Sequence, residues 1–446
     1  MKLLIIVVLS VLGGIFANAQ TWVPVGSTVG TGPNSSIYAL AADTVNNILY
    51  AGGFFTSTAG NSAGTHIAKW NGTAWSVLGT GINDNVNALT IYNGKLIAGG
   101  YFITAGGVTV NRIAQWDGSN WSALGNGMND EVFALAVYNG ELYAGGKFTT
   151  AGGVAALRIA KWDGNNWSAV GTGANDEVYA LLVHNGTLYV GGQYTSIDGV
   201  AANRISAFSG STWTALGTGM DWYVYTLTFD NNNGKLYAGG YFSNAGGNPA
   251  SYAASWDGNN WSALGTGTND VIKSMIMYNG NLYAGGLFAT SGGINTPSIS
   301  KWNGSAWSPV ATGQNASVDA LLVYHNELYA GGDFTGLTGN YISKLSVNTS
   351  VKNVSSSENN FTIYPNPGNG KFQLTMNTGS IQSGTIMVYD VLGKIIYRTG
   401  IQNPNINGGI GKTISDIDLS NQSEGIYFCT LQAGDIFLTN KIILNK

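Results

Sequence analysis

Short apolar runs separated by polar, glycine-bearing breaks fill the chain from Thr21 to Leu345, and the pattern returns with one long period. The stretch Val132–Asp176 shows the unit. VFALAVY is apolar without polar alternation and reads as a strand buried on both faces. Asn139-Gly140 then supplies a two-residue turn, because both residues tolerate the positive φ that a tight hairpin demands. ELYAGGKFT and RIAKW follow as a second and third strand, and Asp163-Gly164 turns the chain into a fourth, WSAVG. No helical pattern intervenes, so parallel βαβ units are excluded.

The first glycine of each LYAGG-type strand falls at 52, 99, 145, 191, 239, 285 and 331, with spacings of 47, 46, 46, 48, 46 and 46. Four antiparallel strands per unit, repeated seven times, predict an all-β, seven-bladed β-propeller. Its ends carry a further signal. The fourth strand recurs at Trp75, Trp121, Trp167, Trp213, Trp261 and Trp307, but the last unit stops at Leu345 without one. Thr21–Gly26 has the missing pattern, and a strand taken from the other end of the chain closes the ring and removes a free edge.

Segments outside the repeats set the remaining expectations. Met1–Ala19 has a positive start, an apolar core and an Ala-Asn-Ala end, and reads as a signal peptide rather than a membrane span. Residues 20–347 form the propeller, 348–358 a polar linker, and 359–446 a small Ig-like β-sandwich of alternating strands and Gly/Pro turns. Charged residues are only 9% and the net charge is −4 without charge runs, so nucleic-acid binding is not expected. Cys429 is the one cysteine, which excludes an intramolecular disulfide and a Cys-crosslinked cofactor. No cofactor and no metal site are expected.

Within the repeats, the paired tryptophans such as Trp116 and Trp121 read as packing between blades, with a ligand platform as the other reading. The paired glycines read as room for an aromatic side chain of the neighbouring blade. Turns between the first and second and between the third and fourth strands share one face. The longer connections share the other, and their sequences vary (TAGGVTVNR, SIDGVAANR, NAGGNPASY), so that face is the candidate for binding. It carries Asp84, Asp130, Asp176, Asp221 and Asp270, either a carboxylate ring at the central opening or a set of Asx turns. Arg112, Arg158 and Arg204 lie in three successive loops, as anion ligands or as solvated charges. Trp222 is an aromatic candidate on the same face. His66, His184 and His325 occupy unrelated repeat positions, and no nucleophile–base pair is visible.

Two resemblances add to this. YAGGxFTxAGG…IAxWDGxxWSxLG, over roughly residues 21 to 345, resembles the kelch-like propeller repeats of cortical-marker-type surface proteins, which implies a scaffold and no activity. The C-terminal segment closely resembles the type A C-terminal sorting domain of the type IX secretion system. The residues that carry the likeness are Tyr364, Pro365, Asn366 and Pro367, the Asp390–Lys394 hairpin with Gly393 and Lys394, Asp418-Leu419-Ser420, Gly425, Tyr427, and the terminal Lys441, Ile442, Ile443 and Leu444. This resemblance implies export, passage of the outer membrane with that secretion machinery as partner, and then surface attachment or release. Together the readings describe a non-enzymatic, secreted or surface-attached protein that binds a glycan or a surface protein. An extracellular polysaccharide hydrolase or lyase is the alternative.

Overall fold

The polar-apolar alternation resolves into strands throughout: the computed structural model describes residues 20–26, 32–58, 65–335, 340–347, 361–377, 383–390, 395–402, 412–433 and 436–446, and no helix occurs among them. The expected signal peptide, the linker 348–358, and Gly393 and Lys394 lie outside the described residues. No helix among the described residues is long and apolar enough to cross a membrane. The chain divides into two compact units, Met1–Val347 and Asn348–Lys446.

In the first unit, seven four-stranded antiparallel sheets follow one another. The sheet at the centre of the sequence pattern has strands A (Val132–Tyr138), B (Glu141–Gly146), C (Ile159–Trp162) and D (Trp167–Ala169). Asn139 and Gly140 close its first hairpin with φ of 50° and 79°, the left-handed pair a two-residue turn needs. Each A strand lies beside the A strand of the next sheet, and Val318–Tyr324 of the last sheet lies beside Ile37–Asp43 of the first. The fourth strand of the last sheet is Gln20–Pro24, paired antiparallel with Ile342–Val347 so that Trp22 faces Leu345. Trp22 is buried there.

Two side-chain devices hold sheet to sheet. The D-strand tryptophan donates its indole N–H to a backbone carbonyl of the preceding sheet: Trp121 to Leu78 (3.0 Å), Trp167 to Leu124 (2.8 Å), Trp261 to Leu216 (2.8 Å) and Trp307 to Leu264 (2.7 Å). Trp75 makes the same bond to Val25 (2.7 Å), which ties the N-terminal strand to the first sheet. The buried indole N–H of Trp213 finds no acceptor. The second device is the Gly-Gly pair. A Cβ on Gly145 would overlap Val178 of the next sheet, and one on Gly146 would overlap the Glu131 carbonyl of its own sheet. The neighbour that needs the space is therefore a β-branched aliphatic side chain, Val or Ile in every copy, and not the expected aromatic.

The A strand also differs from expectation. Val132–Tyr138 mixes buried, half-buried and exposed positions instead of being buried throughout, and its consecutive residues Phe133, Ala134 and Leu135 border a central cavity. Every A strand carries an irregularity at the same place: the Val or Ile near its start pairs with the second glycine of strand B, the next residue is skipped, and the one after pairs with the first glycine. Such a bulge leaves one residue unpaired and re-aims its side chain.

The second unit has a three-stranded sheet (Phe361–Tyr364, Lys371–Asn377, Lys412–Asp418) and a four-stranded sheet in the order Ile395–Gln402, Ser383–Tyr389, Gly425–Ala433, Ile436–Leu444. Both contribute to one core, which includes Phe372, Leu374, Ile386, Val388, Cys429 and Leu444. Burial pushes the Cys429 thiol up to about 12, so it stays protonated and acts as a small apolar side chain.

Candidate functional site

The bulges decide what reaches the centre of the ring. A cavity of about 400 Å³ is lined by up to three consecutive residues from each A strand. The A strands enter from the long-loop face, so the bulged residue lies nearest that face. The two deeper levels hardly vary: Ala, Thr or Ser, then Leu or Met. The bulged level is Tyr38, Asn87, Phe133, Tyr179, Tyr225, Lys273 and Asp319. Side chains that fix the fold repeat from sheet to sheet, and the level that does not repeat is the one aimed into the cavity.

Three neighbouring sheets give this level an aromatic wall. Phe133 and Tyr179 have ring centroids 5.3 Å apart, and Tyr179 and Tyr225 5.1 Å apart, at tilted angles that suit aromatic pairs. The contacts continue outward. Tyr223 lies 6.1 Å from both Tyr179 and Tyr225, Trp222 lies 5.2 Å from Tyr223 and 6.3 Å from Tyr241, and Tyr241 lies 6.1 Å from Tyr252. An unbroken path of rings thus runs from the cavity onto the loop face, where Trp222 and Tyr241 are 48% and 45% exposed.

Polar groups stand around these rings. The Tyr179 hydroxyl donates to Glu177 Oε2 at 2.6 Å and also lies 3.0 Å from Gln193 Oε1. Burial, then the Glu177 acceptor, drive that phenol's pKa well above its ordinary value. Asp319 receives a hydrogen bond from the Ser317 hydroxyl. Burial raises its carboxyl above the usual range and nearby Asp333 adds to this, while the Ser317 bond and the Lys273 ammonium pull the other way. Glu131 is also raised, first by burial and then by Asp130 and Glu177, against Lys147 and Arg112.

The acids singled out from sequence belong to the loops and do not line the cavity. Asp84, Asp130, Asp176 and Asp270 each accept a hydrogen bond from the next backbone N–H, at 2.8, 2.9, 2.9 and 2.7 Å. Asp221 holds a different place in the repeat, that of Asn83, Asn129, Asn175 and Asn269. It accepts from the backbone of Ser243 and Asn244 (2.9 and 3.0 Å) and from the Asn244 amide (2.8 Å), fastening the loop hairpin. Burial works to raise Asp221, but those donors outweigh it and the carboxyl lies below its ordinary range. These contacts tie each carboxylate to loop backbone, at the next residue for four of them and across the loop hairpin for Asp221. Among the described residues, no three His, Cys, Asp or Glu side chains gather as metal ligands.

Two of the three arginines bond to loop carbonyls. Arg112 donates to the Tyr101 carbonyl (2.7 Å) and lies 4.5 Å above its ring, and Arg158 donates to the Lys147 carbonyl (2.6 Å). With Arg204 they share a left-handed backbone, φ 70°, 65° and 68°, at the entry to strand C, and the Nε atoms of Arg158 and Arg204 are buried without a partner. Arg112 and Arg158 thus each spend a side-chain donor on a carbonyl of their own loop. Trp222 alone of the residues named from sequence lies in the aromatic path, at the repeat position that is aspartate in Asp84 and Asp130. The wall formed by Phe133, Tyr179 and Tyr225, and Lys273 and Asp319 beside it, were not singled out. Their signal was present as a divergent position set between the Val or Ile near the start of each A strand and the small residue that follows.

In the second unit the motif residues meet. The Asn366 amide donates to the Lys441 carbonyl, Ile443 N–H donates to Asn366 Oδ1 (2.8 Å), and Gly368 N–H donates to the Ile443 carbonyl (3.0 Å). Ile442 and Leu444 point into the core, while Lys441 is exposed and Tyr364 is 74% exposed. Gly425 opens its strand, and Tyr427 is buried with its hydroxyl donating to the Ser423 carbonyl (2.6 Å). The described strand Ile436–Leu444 is an edge of its sheet.

These features define an all-β, propeller-like secreted protein with a C-terminal sorting domain of the type IX system, which implies interaction with that secretion machinery and attachment at the cell surface. Two family models stand behind that statement. Residues 362–445 match the secretion system C-terminal sorting domain, and residues 93–115 match a beta-propeller domain of unknown function, DUF5122. No curated protein matches the chain. A crystal structure of a glycoside hydrolase family 43 arabinoxylan arabinofuranohydrolase from Bacillus subtilis, in complex with cellotetraose, is similar over 93% of this chain and 96% of that one. The identity is 13% and the TM-score 0.24. That finding corrects the expectation of a non-enzymatic protein: an enzyme stands among the similar structures, so catalysis is not excluded. At that TM-score the likeness carries no argument for a particular reaction.

Proposed function

We propose that the first unit is a closed seven-bladed propeller of kelch-like repeats, spanning residues 20–347, that binds carbohydrate on its long-loop face. In this reading a signal peptide at 1–19 starts export and an Ig-like sandwich from 359 onward completes it, across a linker at 348–358. The observation that carries the binding role is the aromatic path from Phe133 to Tyr252. Sugar rings have one face of C–H groups, which packs on aromatic rings whose hydroxyls remain wet. The distribution of exposed apolar side chains supports the choice of face. Apart from Val45, Val137 and Val183, every exposed large apolar residue of this unit stands on the long-loop side, among them Phe54, Tyr101, Trp222, Tyr241 and Leu287. Trp222 and Tyr241, in ring contact with each other, form the part of that face where exposed apolar groups adjoin.

The test is a glycan array probed with the full chain, followed by titration of the best oligosaccharide against Trp222→Ala and Tyr241→Ala. Each variant is expected to bind about tenfold or more weakly with an unchanged unfolding temperature. Retention of full affinity by both would reject the aromatic path as the site. A polysaccharide hydrolase or lyase on the same scaffold is the second reading, favoured by Asp319 and Glu131, two carboxyl groups held above the ordinary range near the cavity. It predicts release of new sugar ends from a polysaccharide panel, abolished by Asp319→Asn or Glu131→Gln.

A further inference from the structure

The cavity has two unlike walls at a single level. Phe133, Tyr179 and Tyr225 form one, and Lys273 and Asp319, the bulged residues of two other A strands, form part of the other. Lys273 is exposed toward this space and makes no ion pair among the described residues. Asp319 is steadied by the Ser317 hydroxyl. The lining ends three residues along each strand, at the leucine level, so the space is shallow and opens on the loop face. Its size, about 400 Å³, falls within the range of small-ligand sites.

We infer that the cavity takes the terminal unit of a glycan end-on, as an uncharged hexopyranose, with its C–H face on the aromatic wall and a pair of adjacent hydroxyls between Lys273 and Asp319. This rests on the carbohydrate reading of the loop face and adds the ligand class and the mode of entry. The chemistry follows from donor and acceptor counts. An ammonium only donates, an ionised carboxylate only accepts, and neighbouring hydroxyls do both. A charged sugar gains no net charge advantage from such a pair, since a uronate drawn to Lys273 is repelled by Asp319 and an amino sugar drawn to Asp319 is repelled by Lys273, while either gives up more hydration than a neutral ring. A shallow recess matches one ring, whereas a chain bound along its length would lie across the loop face. Trp222 then contacts the next units of the chain and not the terminal one.

The experiment titrates full-length protein by calorimetry with glucose, galactose, mannose, glucuronate and glucosamine, and with tetrasaccharides of the three neutral hexoses. One neutral hexose is expected to bind and to compete with its own tetrasaccharide, with glucuronate and glucosamine at least tenfold weaker. Lys273→Met and Asp319→Asn, the latter nearly isosteric and therefore safe for the fold, are expected to weaken hexose and tetrasaccharide by the same factor, about 10- to 100-fold. Trp222→Ala is expected to weaken only the tetrasaccharide. A tetrasaccharide that binds while its hexose does not, with both variants unaffected, would overturn end-on recognition and leave the carbohydrate reading standing. Tighter binding of either charged sugar would also overturn it. Failure of every saccharide to bind would remove the underlying reading itself.

Discussion

The two faces of the ring are made from the same repeat and behave in opposite ways. On the short-turn face, Asp117, Asp163 and Asp257 each accept two backbone hydrogen bonds inside a Gly-containing turn. Tyr92, Tyr138 and Tyr278 donate across to carbonyls of the next sheet, those of Gly140, Gly186 and Asn326 (3.2, 3.0 and 2.9 Å). Polar groups there are consumed by the fold. On the long-loop face the repeat holds its own loops with one Asn or Asp per sheet, and the bulged residue is left over. A scaffold that locks one end through identical residues leaves the other end free to differ, and the cavity and its aromatic path occupy the free end.

The largest effect should come from breaking the lock altogether. Trp22→Ala empties a buried indole site in the strand that completes the last sheet, at a cost of about 3–5 kcal/mol. For a domain this large that is a fall of roughly 4–7 °C in the unfolding midpoint, read by calorimetry. Deleting Gln20–Gly26 should cost more still, and a deletion variant as stable as the parent would disprove closure through this strand. Next comes the functional contrast. Trp222→Ala should lower glycan affinity by about 2 kcal/mol without loss of stability, while Asn139→Ala, at a φ of 50° in a short turn, should do the reverse.

The smallest effect sharpens the contrast through pH. Burial raises the folded pKa of Asp319 on the loop face, so its contribution is fully present below the unfolded value and is lost as pH rises through the folded one. Asp319→Asn should therefore gain stability relative to the parent as pH is raised from 3 to 7. Backbone donors lower Asp117, Asp163 and Asp257 on the other face, so their contribution is present above the unfolded value and is lost as pH falls. Asparagine at these three positions should flatten the acid limb of a Tm-against-pH curve. Equal pH dependence in both sets of variants would erase the electrostatic difference between the faces.

Local chemistry written at one place in the chain was readable before the structure. Asn139-Gly140 dictates its turn, and the Gly-Gly pairs mark every copy of strand B. Other features needed geometry. Strand A looked doubly buried because Phe133 and Leu135 are apolar, yet they border the central space. Asp221 looked like the partner of Asp84, but one residue's offset in the loop gives it the role of Asn83. The cavity wall was hidden for a different reason. Tyr179 and Tyr225 meet only because each occupies a bulge in neighbouring sheets 46 residues apart in sequence. A linear reading registers them as ordinary apolar-run residues, and ring closure alone makes them a surface.

The clasp between Asn366 and the strand Ile436–Leu444 has a consequence for how the sorting signal is read. Asn366 accepts from Ile443 and donates to Lys441, so two motifs 75 residues apart are displayed as one object only once both are synthesised and folded together. A chain stalled short of Lys441, or one whose second unit has misfolded, carries the earlier motif but cannot present the pair. The clasped surface is thus a property of the folded unit and of neither motif alone.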